Sequence, residues 1–287
     1  SWTENEIGGN RIQQIVAAPS NFNIQYAAVR TKPVLKSEDA GDTWLALPEV
    51  GAPSEFGDTT LADNSYDRYE LAVSATDPNK VYAGISKTFG PPGPSYLYRT
   101  LDGGSTWTHI PEKTVAEGGS AAYADDFWLN SQGWYDNCIT VNPNDDNIVY
   151  VGGVQLFKFI VSGDNKKIST HLTDGYGDFD SKNYYVHVDH HFLGIIDDGA
   201  GNFRILNGSD GGVAVSNSAA DPGNVHNDWV KAASGYNTTQ FYGADKIKGS
   251  QQYIGGAQDN GTWWYSDSGL PASKTSNYNL GVGGDGL

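Results

Sequence analysis

The chain has 287 residues, with 34 acidic against 18 basic side chains, a formal net charge of -16 and a mean hydropathy of -0.47. That balance excludes a phosphate-backbone reader, which needs a basic footprint, and a protein that docks on anionic lipid; no apolar run approaches the ~20 residues that span a bilayer. Glycine supplies 36 residues, about 13% against a usual ~7%, beside 8 Trp and 17 Tyr, which reads as many turns joining aromatic-rich strands. The one cysteine, Cys138, cannot form an internal disulfide and reads as a small core residue. The chain begins at Ser1 with no visible signal peptide, so a processed or partial chain is expected.

In chain order, helical periodicity is nearly lacking, and short β-rich runs alternate with Gly, Asn, Asp and Pro clusters, which predicts an all-β protein. A unit recurs. A turn at Pro19-Ser20-Asn21 precedes a strand through Tyr26, Asp77-Pro78-Asn79 precedes one through Tyr82, and Asn142-Pro143-Asn144 precedes one through Tyr150. Later copies without the proline run through Ile205 and Tyr253. Aligning these five residues gives steps of 56, 68, 55 and 48 residues.

A second element follows in register. Ser37-Glu38-Asp39-Ala40-Gly41-Asp42-Thr43-Trp44 and Thr100-Leu101-Asp102-Gly103-Gly104-Ser105-Thr106-Trp107 both fit S/T-x-D-x-G-x-T-W, with degenerate copies expected between Ser216 and Trp229 and near Ser266 to Gly269. A short hydroxyl and an Asp two residues on can bond the N–H groups of a tight turn. The glycine supplies positive φ, and the Trp ring packs beneath. The motif is therefore read as architecture, with no catalytic part.

These octapeptides resemble Asp-boxes, the bacterial neuraminidase repeats. The resemblance implies a β-propeller: four-stranded antiparallel blades set around a channel, with the box between the outer strands. It implies one propeller domain over 1–287, an incomplete ring of about five blades, with a further blade opening near residue 280. The remaining blades would lie on a missing segment or another chain. The superfamily includes sialidases, xyloglucan-active hydrolases and sortilin-type receptors, so the box does not choose a function. A sialidase is disfavoured, because only five arginines are present, Arg11, Arg30, Arg68, Arg99 and Arg204, and Phe203-Arg204-Ile205-Leu206 lacks the family's proline. In the xyloglucan-active enzymes an early-blade Asp sits in a Thr-Asp-x-Gly-Gly turn, and here the matching stretch 29–34 carries Lys32 instead.

Chemistry is expected in the later repeats. Asp210 in Asn207-Gly208-Ser209-Asp210-Gly211-Gly212 and Asp259 in Gln258-Asp259-Asn260-Gly261 are the catalytic candidates if the protein is a hydrolase, and Asp285 in Gly283-Gly284-Asp285-Gly286 repeats the pattern. Such aspartates either converge at one rim of the channel or each cap their own turn. On a strand, His187, Asp189 and His191 would share a face by the two-residue period and could hold Zn²⁺ or another divalent metal. Alternating aspartates at Asp174, Asp178 and Asp180 in a Gly loop are a weaker Ca²⁺ candidate. Trp128 and Trp134, with Asp189 and Asp285, are the ligand-binding candidates; exposed, the two rings would make a stacking platform for sugars or a partner, and buried packing is the favoured rival reading. The reading is a secreted or cell-surface module, on a bacterial exterior, that binds polysaccharide or an extracellular protein, with no nucleic-acid partner and no membrane insertion. The alternative is a glycoside hydrolase working through paired aspartates. No cofactor follows with certainty from the residues, and Ca²⁺ or another divalent metal is the one considered.

Overall fold

A computed structural model describes residues 11–30, 32–48, 66–87, 95–112, 128–130, 132–176, 185–224, 227–232, 239–246, 248–249, 252–265, 278–280 and 285–286. The described residues form twenty strands in five four-stranded antiparallel sheets, and no helix. The first sheet is β1 (Ile12–Ala18), β2 (Asn21–Val29), β3 (Leu35–Ser37) and β4 (Leu45–Ala46). The second is β5 (Tyr66–Val73), β6 (Val81–Lys87), β7 (Ser95–Thr100) and β8 (Thr108–His109). The third is β9 (Cys138–Val141), β10 (Ile148–Gly152), β11 (Leu156–Val161) and β12 (Lys167–His171). The fourth is β13 (His190–Gly199), β14 (Asn202–Ser209), β15 (Gly212–Ser216) and β16 (Trp229–Lys231). The fifth is β17 (Phe241–Lys246), β18 (Tyr253–Ala257), β19 (Gly261–Tyr265) and β20 (Tyr278–Leu280). In each sheet the strands pair in sequence order, so every connection is a hairpin. All five residues aligned by the repeat fall on the second strand of a sheet.

The first strands pack against one another in series, β1 on β5, β5 on β9 and β9 on β13, so the sheets succeed each other around a common side. Apolar clusters fill the gaps. Tyr69, Leu71, Val81 and Ile85 join the first and second sheets, and Tyr82, Leu97, Val149 and Phe159 the second and third. Tyr150, Leu193, Phe203 and Ile205 join the third and fourth.

The repeated tyrosines explain the spacing of the units. Tyr26 is fully buried and its hydroxyl donates to Pro78 O at 2.9 Å, the turn that opens the next sheet's second strand. Tyr82 does the same one sheet on, to Asp146 O at 2.9 Å. Lys80 braces that joint by pairing with Asp146 at 2.5 Å. Tyr26 and Tyr82 thus each fasten their own sheet to the turn of the following one, whereas Tyr150 accepts from Asn142 Nδ2 in the β9–β10 turn of its own sheet.

The two octapeptides fold as their residue types dictate. Ser37 Oγ accepts from Gly41 N at 2.8 Å, while Asp39 accepts from Thr43 N at 2.8 Å and from its hydroxyl at 2.5 Å. Thr100, Gly104, Asp102 and Thr106 repeat these bonds at 2.8, 2.8 and 2.7 Å. Both turns link the third strand to the fourth. Trp44 lies half-buried over Ala27, Val29 and Leu35, whereas Trp107 is buried in the cluster between the first two sheets. Their surroundings differ because only the second octapeptide has another described sheet beside it on that face. The stretch from Ser216 to Trp229 in the fourth sheet bonds differently: Ser216 Oγ accepts from Ile205 N on the neighbouring strand, and Asp228 caps Gly223 N and Asn224 N. A further octapeptide-like turn joins β11 to β12, where Ser162 Oγ donates to Asp164; only its Ser-x-Asp survives in the sequence. The copy expected at 266–269 lies outside the described residues.

Candidate functional site

The chain enters the third and fourth sheets by crossing the middle hairpin of the sheet before. Ahead of β9, Asn137 Nδ2 donates to Gly84 O at 3.0 Å. Ahead of β13, Asp189 N and His190 N donate to Val154 O and Gly153 O at 3.2 and 2.8 Å. Gly152 allows the crossing, since a Cβ there would stand 2.6 Å from Cys138 Sγ and 2.9 Å from His190 Cβ. These lead-in segments carry Asp136 and Asp189, while the middle hairpins of the fourth and fifth sheets carry Asp210 and Asp259. Lead-in and hairpin meet: Asp210 N donates to Asp189 O at 3.2 Å, and Gly286 N donates to Ala257 O at 2.9 Å.

The expected strand through His187, Asp189 and His191 is corrected by this crossing. β13 begins only at His190, and Asp189 takes a φ of 60°, so the three residues do not share a face. His187 folds over the β14–β15 turn, with ring nitrogens 3.0 Å from Val188 O and 3.1 Å from Asp259 O. Gly211 is required beneath it, for a Cβ would lie 2.2 Å from His187 Cβ. His190 turns inward, fully buried, with Nδ1 3.1 Å from Asn207 Oδ1. Burial pulls its pKa down to about 3, so it stays neutral.

What converges is carboxylates. One oxygen each from Asp189, Asp210 and Asp259 lies within 4.8 Å of the other two. Asp210 accepts from Tyr135 Oη at 2.9 Å, and its other oxygen lies 2.9 Å from His191 Nε2. Gln132 Nε2 donates to Asp189 Oδ1 at 3.2 Å. Asp285 accepts from Asp259 N at 3.0 Å and from Tyr242 Oη at 3.3 Å, joining the edge of the group. Behind Asp189 stands Asp136, fully buried, its two carboxyl oxygens reached by no hydrogen-bond donor of ordinary geometry. The two acids act on each other, Asp136 being raised to about 9 by burial and by the Asp189 charge. Asp189 is raised by burial and by Asp210, and Asp259 is raised to about 6 by burial and by Asp210. Tyr135 is held protonated by burial and by its bond to Asp210. Among the described residues no lysine or arginine pairs with Asp136, Asp189, Asp210 or Asp259.

Asp189 and Asp259 open onto a cleft of about 550 Å³ between the fourth and fifth sheets. Tyr176, Tyr185, Trp229 and Trp263 line it, the two tyrosines 61% and 59% exposed. The stacking platform expected at Trp128 is corrected: Trp128 is buried, edge-on to Phe159 at 5.8 Å and packed on Gly84. Trp134 is 47% exposed beside Tyr135 but does not line the cleft. Asp174 is buried, and the rest of its acidic loop, 177–184, lies outside the described residues. Sequence reasoning missed Asp136 and Tyr135. The signal was the shared order Tyr135-Asp136-Asn137 and Val188-Asp189-His190, an apolar or aromatic residue, an Asp and a buried polar residue ahead of a first strand.

No protein-family model matches the chain, and no curated protein matches it. Solved structures do. A GH74 xyloglucanase from Xanthomonas campestris aligns over 96% of this chain at 15% identity with a TM-score of 0.53, and the chain spans 40% of that enzyme's length. YCF48 from Cyanidioschyzon merolae aligns over 96% of the chain and 73% of its own at 11% identity, with a TM-score of 0.50. The neighbours are β-propeller proteins, and the fold of this chain is of that class: all-β, built of four-stranded antiparallel sheets. Among the described residues no helix is long and apolar enough to cross a membrane.

Proposed function

We propose that the chain is part of a secreted or cell-surface Asp-box propeller that binds polysaccharide in the cleft between its fourth and fifth sheets. The observation that carries this is the pairing of aromatic rings with acids in one cleft: exposed Tyr176 and Tyr185 and half-buried Trp263 offer apolar faces, while Asp189 and Asp259 offer acceptors. Sugars present the complement, C–H faces for rings and hydroxyls for carboxylates. The acidic surface disfavours polyanionic glycans, so a neutral β-glucan is the class expected.

One observation favours the glycoside hydrolase instead. Asp259, raised to about 6 in a cleft, has the character of a general acid. Against an inverting enzyme, one oxygen each of Asp189, Asp210 and Asp259 lies within 4.8 Å of the others, closer than the roughly 6.5–9.5 Å at which such enzymes seat a water between their acids; this leaves open the retaining spacing of roughly 5–5.5 Å. Binding is therefore the preferred reading. Affinity electrophoresis in gels containing neutral glucans tests it. Retardation that falls at least ~10-fold in Tyr185→Ala or Trp263→Ala is expected, about 1.4 kcal/mol by the usual conversion. Unretarded wild type on every neutral glucan, or retardation indifferent to both substitutions, overturns it. Release of reducing ends that is lost in Asp259→Asn would establish the hydrolase.

A further inference from the structure

The geometry points to a binding site for one divalent cation, Ca²⁺ by its donor chemistry, held by Asp189, Asp210 and Asp259. This goes beyond the glycan reading and does not depend on it.

Two independent features lead there. The first is convergence: three elements distant in sequence, the lead-in to β13, the β14–β15 hairpin and the β18–β19 hairpin, each deliver one carboxylate to one point. Two oxygens on the same Ca²⁺, each at ~2.3–2.6 Å, stand at most about 5 Å apart, so the 4.8 Å spread fits one coordination sphere. Zn²⁺ and Mg²⁺, with bonds of about 2.0–2.2 Å, hold their oxygens within about 4.4 Å of one another and keep stricter geometry. The donors are all oxygen, which selects a hard cation. The imidazoles are committed elsewhere, His191 to Asp210 and His187 to backbone carbonyls, so the metal expected on the histidines belongs on the acids.

The second feature is Asp136. It is fully buried, neither carboxyl oxygen meets a donor, and it faces Asp189. Burying a carboxyl without a partner costs free energy, and facing it with another acid adds to the cost. No lysine or arginine among the described residues forms an ion pair with it, and Arg68 acts on it only as a nearby charge. A cation at the mouth of the cluster would supply the opposite charge. The surrounding bonds already orient the ligands: Tyr135 and His191 fix Asp210, Gln132 fixes Asp189, and Asp285 fixes the backbone of Asp259. Each carboxylate oxygen so bonded keeps a lone pair for a metal.

The experiment needs no glycan, so its failure is separate from failure of the binding reading. Protein stripped with EDTA is titrated with CaCl₂ by calorimetry, and with Tb³⁺ by luminescence sensitised through neighbouring Tyr and Trp rings. One equivalent of Ca²⁺ binding below ~1 mM is expected, with Tb³⁺ emission displaced by Ca²⁺. Asp189→Asn and Asp259→Asn should each weaken binding at least ~10-fold. Circular dichroism of each variant checks folding, and the wild-type displacement stands if one fails to fold. The proposal is overturned if the wild type takes up no Ca²⁺, or if binding is unchanged by both aspartate substitutions.

Discussion

The joint between the second and third sheets and the joint between the fourth and fifth are built oppositely. The first is closed by buried Tyr82, Trp128, Val149 and Phe159 and fastened by a tyrosine hydroxyl. The second is polar and open: every residue of β17 is exposed, Trp264 is 40% exposed, and the contacts across it are His187 to Asp259 O and Asn260 Nδ2 to Asp210 O. Both joints use the same strand order and the same hairpins. The difference teaches that the repeating frame is tolerant, and that chemistry collects where apolar packing gives out.

The largest test of this contrast is truncation of a tryptophan on each side. Trp128→Ala should destabilise the protein by about 3–5 kcal/mol through its cavity, and Trp264→Ala by under ~1 kcal/mol, both read by urea unfolding. Equal losses would erase the distinction.

Acid should act through the closed side next. Burial holds His109 and His171 down to about 4, and His190 to about 3. The unfolded chain takes up these protons near pH 6.5, the folded chain only between about 4 and 3. Stability is therefore full above pH 6.5, falls as pH drops, and levels off below about 3. For His109 alone the loss is about 3 kcal/mol. Glu70 works the other way, since burial raises it to about 7 and the folded state binds its proton first. Comparing wild type with His109→Phe at pH 7 and pH 4 isolates the histidine, and the variant should lose less on acidification.

Smaller effects should come from the turns. Ser37→Ala leaves Gly41 N without its buried acceptor and should cost about 1–3 kcal/mol by thermal unfolding. Tyr82→Phe keeps the ring and removes the bond to Asp146 O, for about 1 kcal/mol. A loss several-fold greater would mean that the ring moves without its hydroxyl anchor.

The frame was legible because its signals are local. Ser37, Asp39, Gly41 and Thr43 bond one another within five residues of sequence, so their types and spacing carry the turn, and the tyrosines mark second strands by recurrence. The acids were legible singly, Asp210 and Asp259 from their Gly turns, but their meeting was not. It depends on how far one lead-in reaches over another sheet's hairpin. The same non-local crossing defeated one reading: alternation put His187 and His191 beside Asp189, but the backbone bends before β13. For Trp128, where a platform and buried packing were both open, Gly84 leaves a space that takes its indole.

The tyrosine fastenings also have a direction. Tyr26 waits for a carbonyl 52 residues later and Tyr82 for one 64 residues later, and neither reaches backward. During synthesis, then, the first and the second unit each carry a loose hydroxyl until the turn of the next has left the ribosome, and over these two joints the growing protein sets like a zipper drawn from its amino end.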